Sequence, residues 1–176
     1  MKTNLILSID RRNDAQTAID VVELAYKYHG KGVVGIDLCG DPSVGDVSIF
    51  EPAFLLAQKR NLRITIHFAE VAQASTSTEL TTLLSYKPDR IGHVIHVPEN
   101  LKPEIEKMGV GLELCLSCNV HAKMIVGTYE DHHFGEWWGK GAKVVLCVRI
   151  LFLYFLYLYL FRWFYFISND GVWDGG

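Results

Sequence analysis

The chain has 176 residues, of which 21% are charged and 49% hydrophobic, and its formal net charge is −3 at pH 7. This length is enough for one domain with a buried core, so no disulfide scaffold is required. The weakly acidic balance excludes the basic surface on which nucleic-acid-binding proteins rely.

Strand-like and helix-like segments alternate along residues 1–147, a pattern typical of parallel strands joined by crossover helices. We predict six strands, at residues 5–10, 32–38, 62–68, 90–96, 110–116 and 143–147. Continuous apolar runs in these segments indicate strands that are buried on both faces, so helices should cover the sheet.

Four helices are predicted between the first five strands. Asn13 or Asp14 can cap the first helix and Gly30 ends it, while Pro98 and Pro103 lie early in the fourth, which runs through Met108. Apolar residues at helical spacing should form the buried faces of the first three helices: Ala18, Val21, Val22 and Ala25; Phe50, Phe54, Leu55 and Leu56; Leu80, Leu83 and Leu84.

Two α/β architectures fit this alternation: an open doubly wound sheet, and part of a (β/α) barrel with about six of its eight parallel strands. The glycine fingerprint of dinucleotide binding is absent after the first strand, where Arg11-Arg12-Asn13 stands. This absence favours the partial barrel.

Polar or ionisable side chains stand at or near the ends of most predicted strands. They are Asp10, Asp37, Asp41, His67, Glu70, His93 and, further inside its strand, Glu113. The carboxyl ends of barrel strands share one face, so these groups should converge on one pocket. A solvated strand end without function is the alternative interpretation at any single position.

His67 and Glu70 suit a metal ligand and a general acid/base that acts on metal-bound water. His93 could stabilise a developing oxyanion or orient the water. One histidine cannot hold a catalytic zinc ion, which usually takes at least three protein ligands.

The four cysteines are interpreted as reduced, buried structural thiols, and with no cleavable signal at the N-terminus they indicate the cytosol. A zinc or redox role for Cys115 and Cys118 is the alternative, but Cys39 and Cys147 are isolated in other strands and the Cys115–Cys118 run is predicted to lead into a loop. His132-His133 and Trp137-Trp138 are assigned to a short helix before the last strand, with the tryptophans in core or lid packing.

Four ordered motifs resemble the central motifs of the adenosine and AMP deaminase family: residues 35–42 (GIDLCGDP), 66–70 (IHFAE), 90–93 (RIGH) and 112–115 (LELC). Residues 8–12 (SIDRR) and 133–138 (HFGEWW) are most similar to its adenosine deaminase-like branch, which acts on N6-methyl-AMP. The resemblance covers about residues 4–147.

The resemblance implies a zinc-dependent barrel in which hydroxide attacks C6 of a purine nucleotide or nucleoside and ammonia or an alkylamine leaves. It implies that His67 is a zinc ligand, that Glu70 donates a proton to the purine ring nitrogen, and that His93 aids the attack. Asp10 and Gly40 would then contact the substrate.

Two departures from the family pattern affect the metal. The family's first strand carries a His-x-His pair and its last strand ends in Thr-Asp-Asp, whereas this chain has no such pair and continues from Cys147 into Val148-Arg149. Only one of four expected zinc ligands remains. We therefore expect a fragment of the family domain, with six strands matching the family's third to eighth, that is metal-poor and inactive.

Residues 148–176 form a divergent hydrophobic tail, separate from the partial deaminase domain at residues 1–147. Residues 150–167 are apolar except for Arg162 and approach the length of a membrane span. We expect translated non-coding sequence here in preference to an anchor. The alternatives to N6-methyl-AMP deamination are adenosine deamination and a non-catalytic, membrane-associated splice product.

Overall fold

The structure, a computed structural model, describes residues 3–148 and 165–167. In these residues strands and helices alternate, and all seven strands belong to one sheet. The strands are β1 Leu5–Asp10, β2 Val33–Cys39, β3 Arg63–Phe68, β4 Arg90–His93, β5 Gly111–Leu114, β6 Val144–Val148 and β7 Tyr165–Ile167. The helices are α1 Ala15–Lys27, α2 Glu51–Lys59, α3 Ser77–Ser85, α4 Lys102–Met108, α5 Leu116–His121 and α6 Phe134–Gly139.

The first six strands are parallel and lie side by side in the order of the sequence. A doubly wound sheet reverses its strand order at a switch point, whereas a barrel adds each strand to the one before it. The sequential order therefore confirms the α/β fold expected from the sequence and is that of a partial barrel.

Parallel strands bring their carboxyl ends to the same edge of the sheet. Asp10 and His93 are the last residues of β1 and β4, and Asp37, His67 and Glu113 lie within two residues of the ends of their strands. The core lies between the sheet and its helices, where Ile36, Ile66 and Ile91 have no exposed surface and pack with Phe50 and Phe54.

The helix caps and buried helix faces of the structure match those predicted from the sequence, with local exceptions. The side chain of Asp14 accepts a hydrogen bond from Thr17 N at the start of α1. Pro103 lies in the first turn of α4, but Pro98 precedes that helix. On α2 the predicted buried face was wrong at Leu55, which is 56% exposed.

Two strands are shorter than predicted, for local backbone reasons. β4 was expected to reach residue 96 but ends at His93, because His93 and Val94 have φ values of 64° and 49° and turn the chain out of the strand. β5 was expected to reach residue 116 but ends at Leu114, because α5 begins at Leu116.

Part of the predicted tail joins the sheet. β7 pairs antiparallel with β6, through Leu146 with Ile167 and Val148 with Tyr165. An edge strand presents unpaired backbone donors and acceptors to any segment that can reach it, which explains this addition. Within residues 3–148 and 165–167, no helix has the length and apolar character needed to cross a membrane. The alternative of an anchor at residues 150–167 lies outside the described residues except for 165–167, which form β7.

Candidate active site

His67 stands one residue before the end of β3 and turns its ring toward β2. Its Nδ1 lies 3.1 Å from Oδ1 of Asp37, a carboxylate that is buried in the interior of the sheet. A histidine whose Nδ1–H is held by a carboxylate presents Nε2 to a metal or a substrate. Asp37, which the sequence marked only as a polar group near a strand end, therefore orients His67.

Glu70 and His93 meet at the same rim. Glu70 lies two residues beyond β3, and its Oε1 is 3.5 Å from Nε2 of His93 at the end of β4. The rings of His67 and His93 are 5.3 Å apart between centroids. The three residues that the sequence selected for acid/base and metal chemistry are thus brought together in one cluster, and the side chains of Glu70 and His93 are only 17% and 6% exposed.

His93 is held from two sides. Its carbonyl oxygen accepts a hydrogen bond of 2.6 Å from Nε2 of His133, and its ring Nδ1 lies 2.9 Å from Oδ1 of Asn119. Asn119 has no exposed surface, and its Nδ2 lies 3.1 Å from Nε2 of His132. A left-handed residue that is fixed by partners on its backbone and its ring is typical of functional sites.

Asn119 and His132 were missed as site residues. Asn119 lies in the middle of α5, and the sequence interpretation of this segment considered only the thiols of Cys115 and Cys118. No spacing pattern predicts that an amide at this position will contact a residue at a strand end. His132 and His133 were assigned to a helix, but α6 begins at Phe134. Trp137 is buried in the core, as interpreted, whereas Trp138 is 53% exposed.

Asp10 and Gly40 lie together at the rim of β1 and β2. Gly40 has φ 105°, and a Cβ built on it would be 2.6 Å from Oδ1 of Asp10. Asp10 also accepts hydrogen bonds from the backbone N–H and the guanidinium of Arg12. The two predicted substrate contacts are therefore neighbours at the ends of β1 and β2, and β2 is the strand beside β3.

A second buried carboxylate, Glu113, lies below the rim on β5. Burial raises its pKa, while Arg90, whose Nε is 2.9 Å from Oε1, opposes that rise. Thr65 Oγ1 donates a weak hydrogen bond of 3.3 Å to Oε2. The effect of burial on Glu113, in the interior of the sheet, is thus partly offset by its ion pair with Arg90.

The cysteines differ from the sequence interpretation in three ways, which concern the segment after Cys115, the isolation of Cys147, and the burial of Cys39 and Cys118. The segment after Cys115 forms α5 and not a loop, and Cys147 is not isolated, because its thiol lies close enough to that of Cys115 for the two to shift each other's pKa. This contact lowers the pKa of Cys115 and, with burial, raises that of Cys147. All four cysteines are free thiols: Cys115 and Cys147 are buried, and Cys39 and Cys118 are partly exposed.

The described residues do not complete a metal site. In the part of the chain that the structure describes, no group of three or more histidine, cysteine, aspartate or glutamate side chains could hold a metal ion. His67, oriented by Asp37, supplies one nitrogen where a catalytic zinc ion needs at least three protein ligands.

Comparison with known sequences gives a family match over residues 1–147, to the model described as Adenosine deaminase. The N6-mAMP deaminase of Arabidopsis thaliana is 36% identical over 143 residues, which cover 81% of this chain and 39% of that protein. The adenosine deaminase of Clostridium botulinum is 34% identical over 148 residues, which cover 83% of this chain and 43% of that protein. The chain thus spans about two fifths of the length of these relatives.

Solved structures give the same picture. The Arabidopsis protein complexed with IMP superposes with a TM-score of 0.77 at 36% identity, covering 82% of this chain and 41% of that one, and a GMP complex matches with the same TM-score. An amidohydrolase from Burkholderia ambifaria with bound Zn has a TM-score of 0.65 at 21% identity, covering 81% and 40% of the two chains. This last likeness concerns the fold alone.

Proposed function

Because the chain belongs to the adenosine deaminase family, we propose that it carries the acid/base part of a zinc-dependent purine aminohydrolase. The family is one of hydrolytic deaminases. The observation that carries the proposal is the cluster of Glu70, His93 and His67, with Glu70 Oε1 3.5 Å from His93 Nε2 and the two imidazole rings 5.3 Å apart.

The proposed substrate is N6-methyl-AMP, converted to IMP and methylamine. Support comes from the relatives that are named N6-methyl-AMP deaminases and from the solved relative that holds IMP. In this reaction water adds across the C6–N bond of the purine ring, with its oxygen on C6 and one proton on the ring nitrogen. The bond from C6 to the exocyclic nitrogen then breaks, and the amine leaves with the bonding electrons and takes the remaining proton of the added water as the C6 carbonyl forms.

Each side chain has a role in this proposal. Glu70 holds the proton for the ring nitrogen, and His93 directs the incoming oxygen through Nε2. Asp10 and Gly40 contact the purine, and the positive φ of Gly40 supports a close backbone approach.

A zinc ion would meet His67 through Nε2, because Nδ1 faces Asp37. When bound, zinc makes hydroxide available near neutral pH. The side chains of the described residues do not complete its ligand set, so we derive no step through it. We also propose that the protein acts in the cytosol, which is consistent with its free thiols.

Adenosine is the alternative substrate, favoured by the Clostridium relative. A non-catalytic role is the second alternative, favoured by the incomplete metal site in the described residues.

A hybrid protein tests the proposal. Residues 5–147 of this chain replace the matching segment of the Arabidopsis relative, which supplies the rest of its own domain, and amine release is measured from N6-methyl-AMP, AMP and adenosine. We expect the highest kcat/KM with N6-methyl-AMP. Preference for adenosine would select the alternative substrate, and a folded, zinc-loaded hybrid that releases no amine would contradict the enzymatic proposal.

A further inference from the structure

A chain of buried polar groups connects His93 to the start of α6. His93 Nδ1 lies 2.9 Å from one end of the Asn119 amide, and the other end of that amide lies 3.1 Å from His132 Nε2. This series of polar contacts ends at the backbone N–H of Phe134, which donates a hydrogen bond of 3.0 Å to Nδ1 of His132. His93, Asn119 and His132 are 5%, 0% and 6% exposed. Buried groups of this kind require matched donors and acceptors.

The last contact determines where His132 carries its proton. A backbone N–H can only donate, so Nδ1 of His132 must accept and therefore bears no hydrogen. Burial, followed by the neighbouring His133, lowers the pKa of His132 to about 4, so the ring is neutral near pH 7. A neutral imidazole with a bare Nδ1 carries its single proton on Nε2.

That proton fixes the orientation of the amide. His132 Nε2–H needs an acceptor, and the only acceptor that Asn119 offers is Oδ1. The amide as positioned turns Oδ1 to His93 and Nδ2 to His132, which would force the proton of His132 onto Nδ1, directly against the N–H of Phe134. Exchanging the nitrogen and oxygen of the amide keeps its shape and removes this conflict.

With the amide exchanged, Asn119 Nδ2 donates to Nδ1 of His93. Nδ1 of His93 is then an acceptor, and the proton of the neutral ring lies on Nε2, the nitrogen that faces Glu70 at 3.5 Å.

We propose that Asn119 and His132 are positioning residues that fix His93 in the tautomer with its proton on Nε2. In this form Nε2 donates a hydrogen bond to an oxygen in front of it, either of the Glu70 carboxyl group or of the attacking water. His93 thus orients the oxygen and does not remove its proton. This catalytic meaning rests on the proposed function, but the tautomer itself does not.

The test is nitrogen NMR of the full chain at pH 7.5. The protein is labelled with 15N in histidine, and long-range proton–nitrogen correlations distinguish protonated from bare ring nitrogens. Seven histidines are present, and the signals of His93 are assigned by their loss in His93→Gln. We expect a bare Nδ1 and a protonated Nε2, whereas a protonated Nδ1 on His93 would overturn the proposal.

Asn119→Asp tests the cause, because a carboxylate of the same shape can only accept and should draw a proton to Nδ1 of His93. His132→Leu should remove the preference and give a mixture of the two tautomers. The control is His121→Gln, an exposed histidine that contacts Tyr129 outside this chain of groups and should leave the His93 signals unchanged. A His93 tautomer that is unaffected by Asn119→Asp would overturn the assignment to Asn119.

These measurements need neither metal nor turnover, so they can fail while the hybrid is active, and succeed if it is not. In an active hybrid, Asn119→Asp should lower kcat by about tenfold or more with little change in KM, as expected when an interaction made in the transition state is lost.

Discussion

At the scale of single residues, the proposed proton transfer depends most directly on the carboxyl group of Glu70. Its position two residues after β3, facing His93 on β4, follows from the pairing of neighbouring parallel strands. In the hybrid protein, Glu70→Gln keeps the shape of the side chain and removes the transferable proton. We expect turnover to fall by at least about 10²-fold while the zinc content is unchanged.

Glu104→Gln, on the exposed surface of α4, is the matched control and should retain full turnover. An active Glu70→Gln hybrid would show that another group supplies the proton.

His67→Ala should instead reduce the zinc content of the hybrid, measured by elemental analysis, because a ligand is lost.

The lowered pKa of His132 predicts that the stability of the fold depends on pH. This pKa is about 4 in the folded chain and about 6.5 in the unfolded chain. The unfolded chain binds the proton more readily, so this stabilising contribution is fully present above about pH 6.5 and is lost as the pH falls toward 4. Urea unfolding between pH 7 and 5 should show decreasing stability, with a smaller decrease in His132→Gln. His121→Gln should keep the slope of the original chain, and an equal slope in His132→Gln would refute this assignment.

The sequence was sufficient to predict that His67, Glu70 and His93 lie together at one rim, because this placement depends only on where strands end. It could not predict Asn119, Asp37 as the partner of His67, or the pairing of Cys115 with Cys147. Each of these contacts joins two elements, and the side chains that meet depend on register and on helix placement, which local periodicity does not specify.

At the scale of elements, the close approach of β2 to β3 depends on Gly35. A Cβ at this position would lie against the carbonyl oxygen of Arg63, well inside van der Waals contact. The backbone of a paired strand cannot move aside as a flexible side chain can. Element lengths were less predictable than their existence, because β4 ends where His93 and Val94 adopt positive φ, a conformation that is uncommon for non-glycine residues and rarest for a β-branched one.

We expect Gly35→Ala to lower the free energy of unfolding by about 3 kcal/mol or more, the upper range for overpacked sites. Gly139→Ala on α6 is the matched control, since its Cβ would meet nothing within 4 Å. It should be neutral or raise the stability by up to about 1 kcal/mol, because alanine is the better helix former. Urea denaturation of both variants measures the difference, and equal stabilities would refute the steric argument.

At the scale of the whole molecule, the decisive quantity is the zinc content of the purified protein. In residues 3–148 and 165–167 no group of three or more side chains could hold a metal ion, so we expect purified residues 1–176 to hold well under one zinc ion per chain. Without that ion, water near the site keeps a pKa far above neutral, and no amine release should be detected.

Elemental analysis and an assay with added zinc on N6-methyl-AMP and adenosine check this expectation. Near-stoichiometric zinc with turnover would require further ligands, and His96, His121, His132 and His133 would be the first candidates to replace with alanine.

The sequential strand order also has a consequence for how the chain folds as it is made. Each strand from β2 to β7 pairs with the strand synthesised just before it, so its partner has already left the ribosome. Contacts that close only short loops form quickly and at a low entropic cost. The sheet can therefore grow one strand at a time during synthesis, and at each stage the open edges among the described strands are β1 and the newest strand.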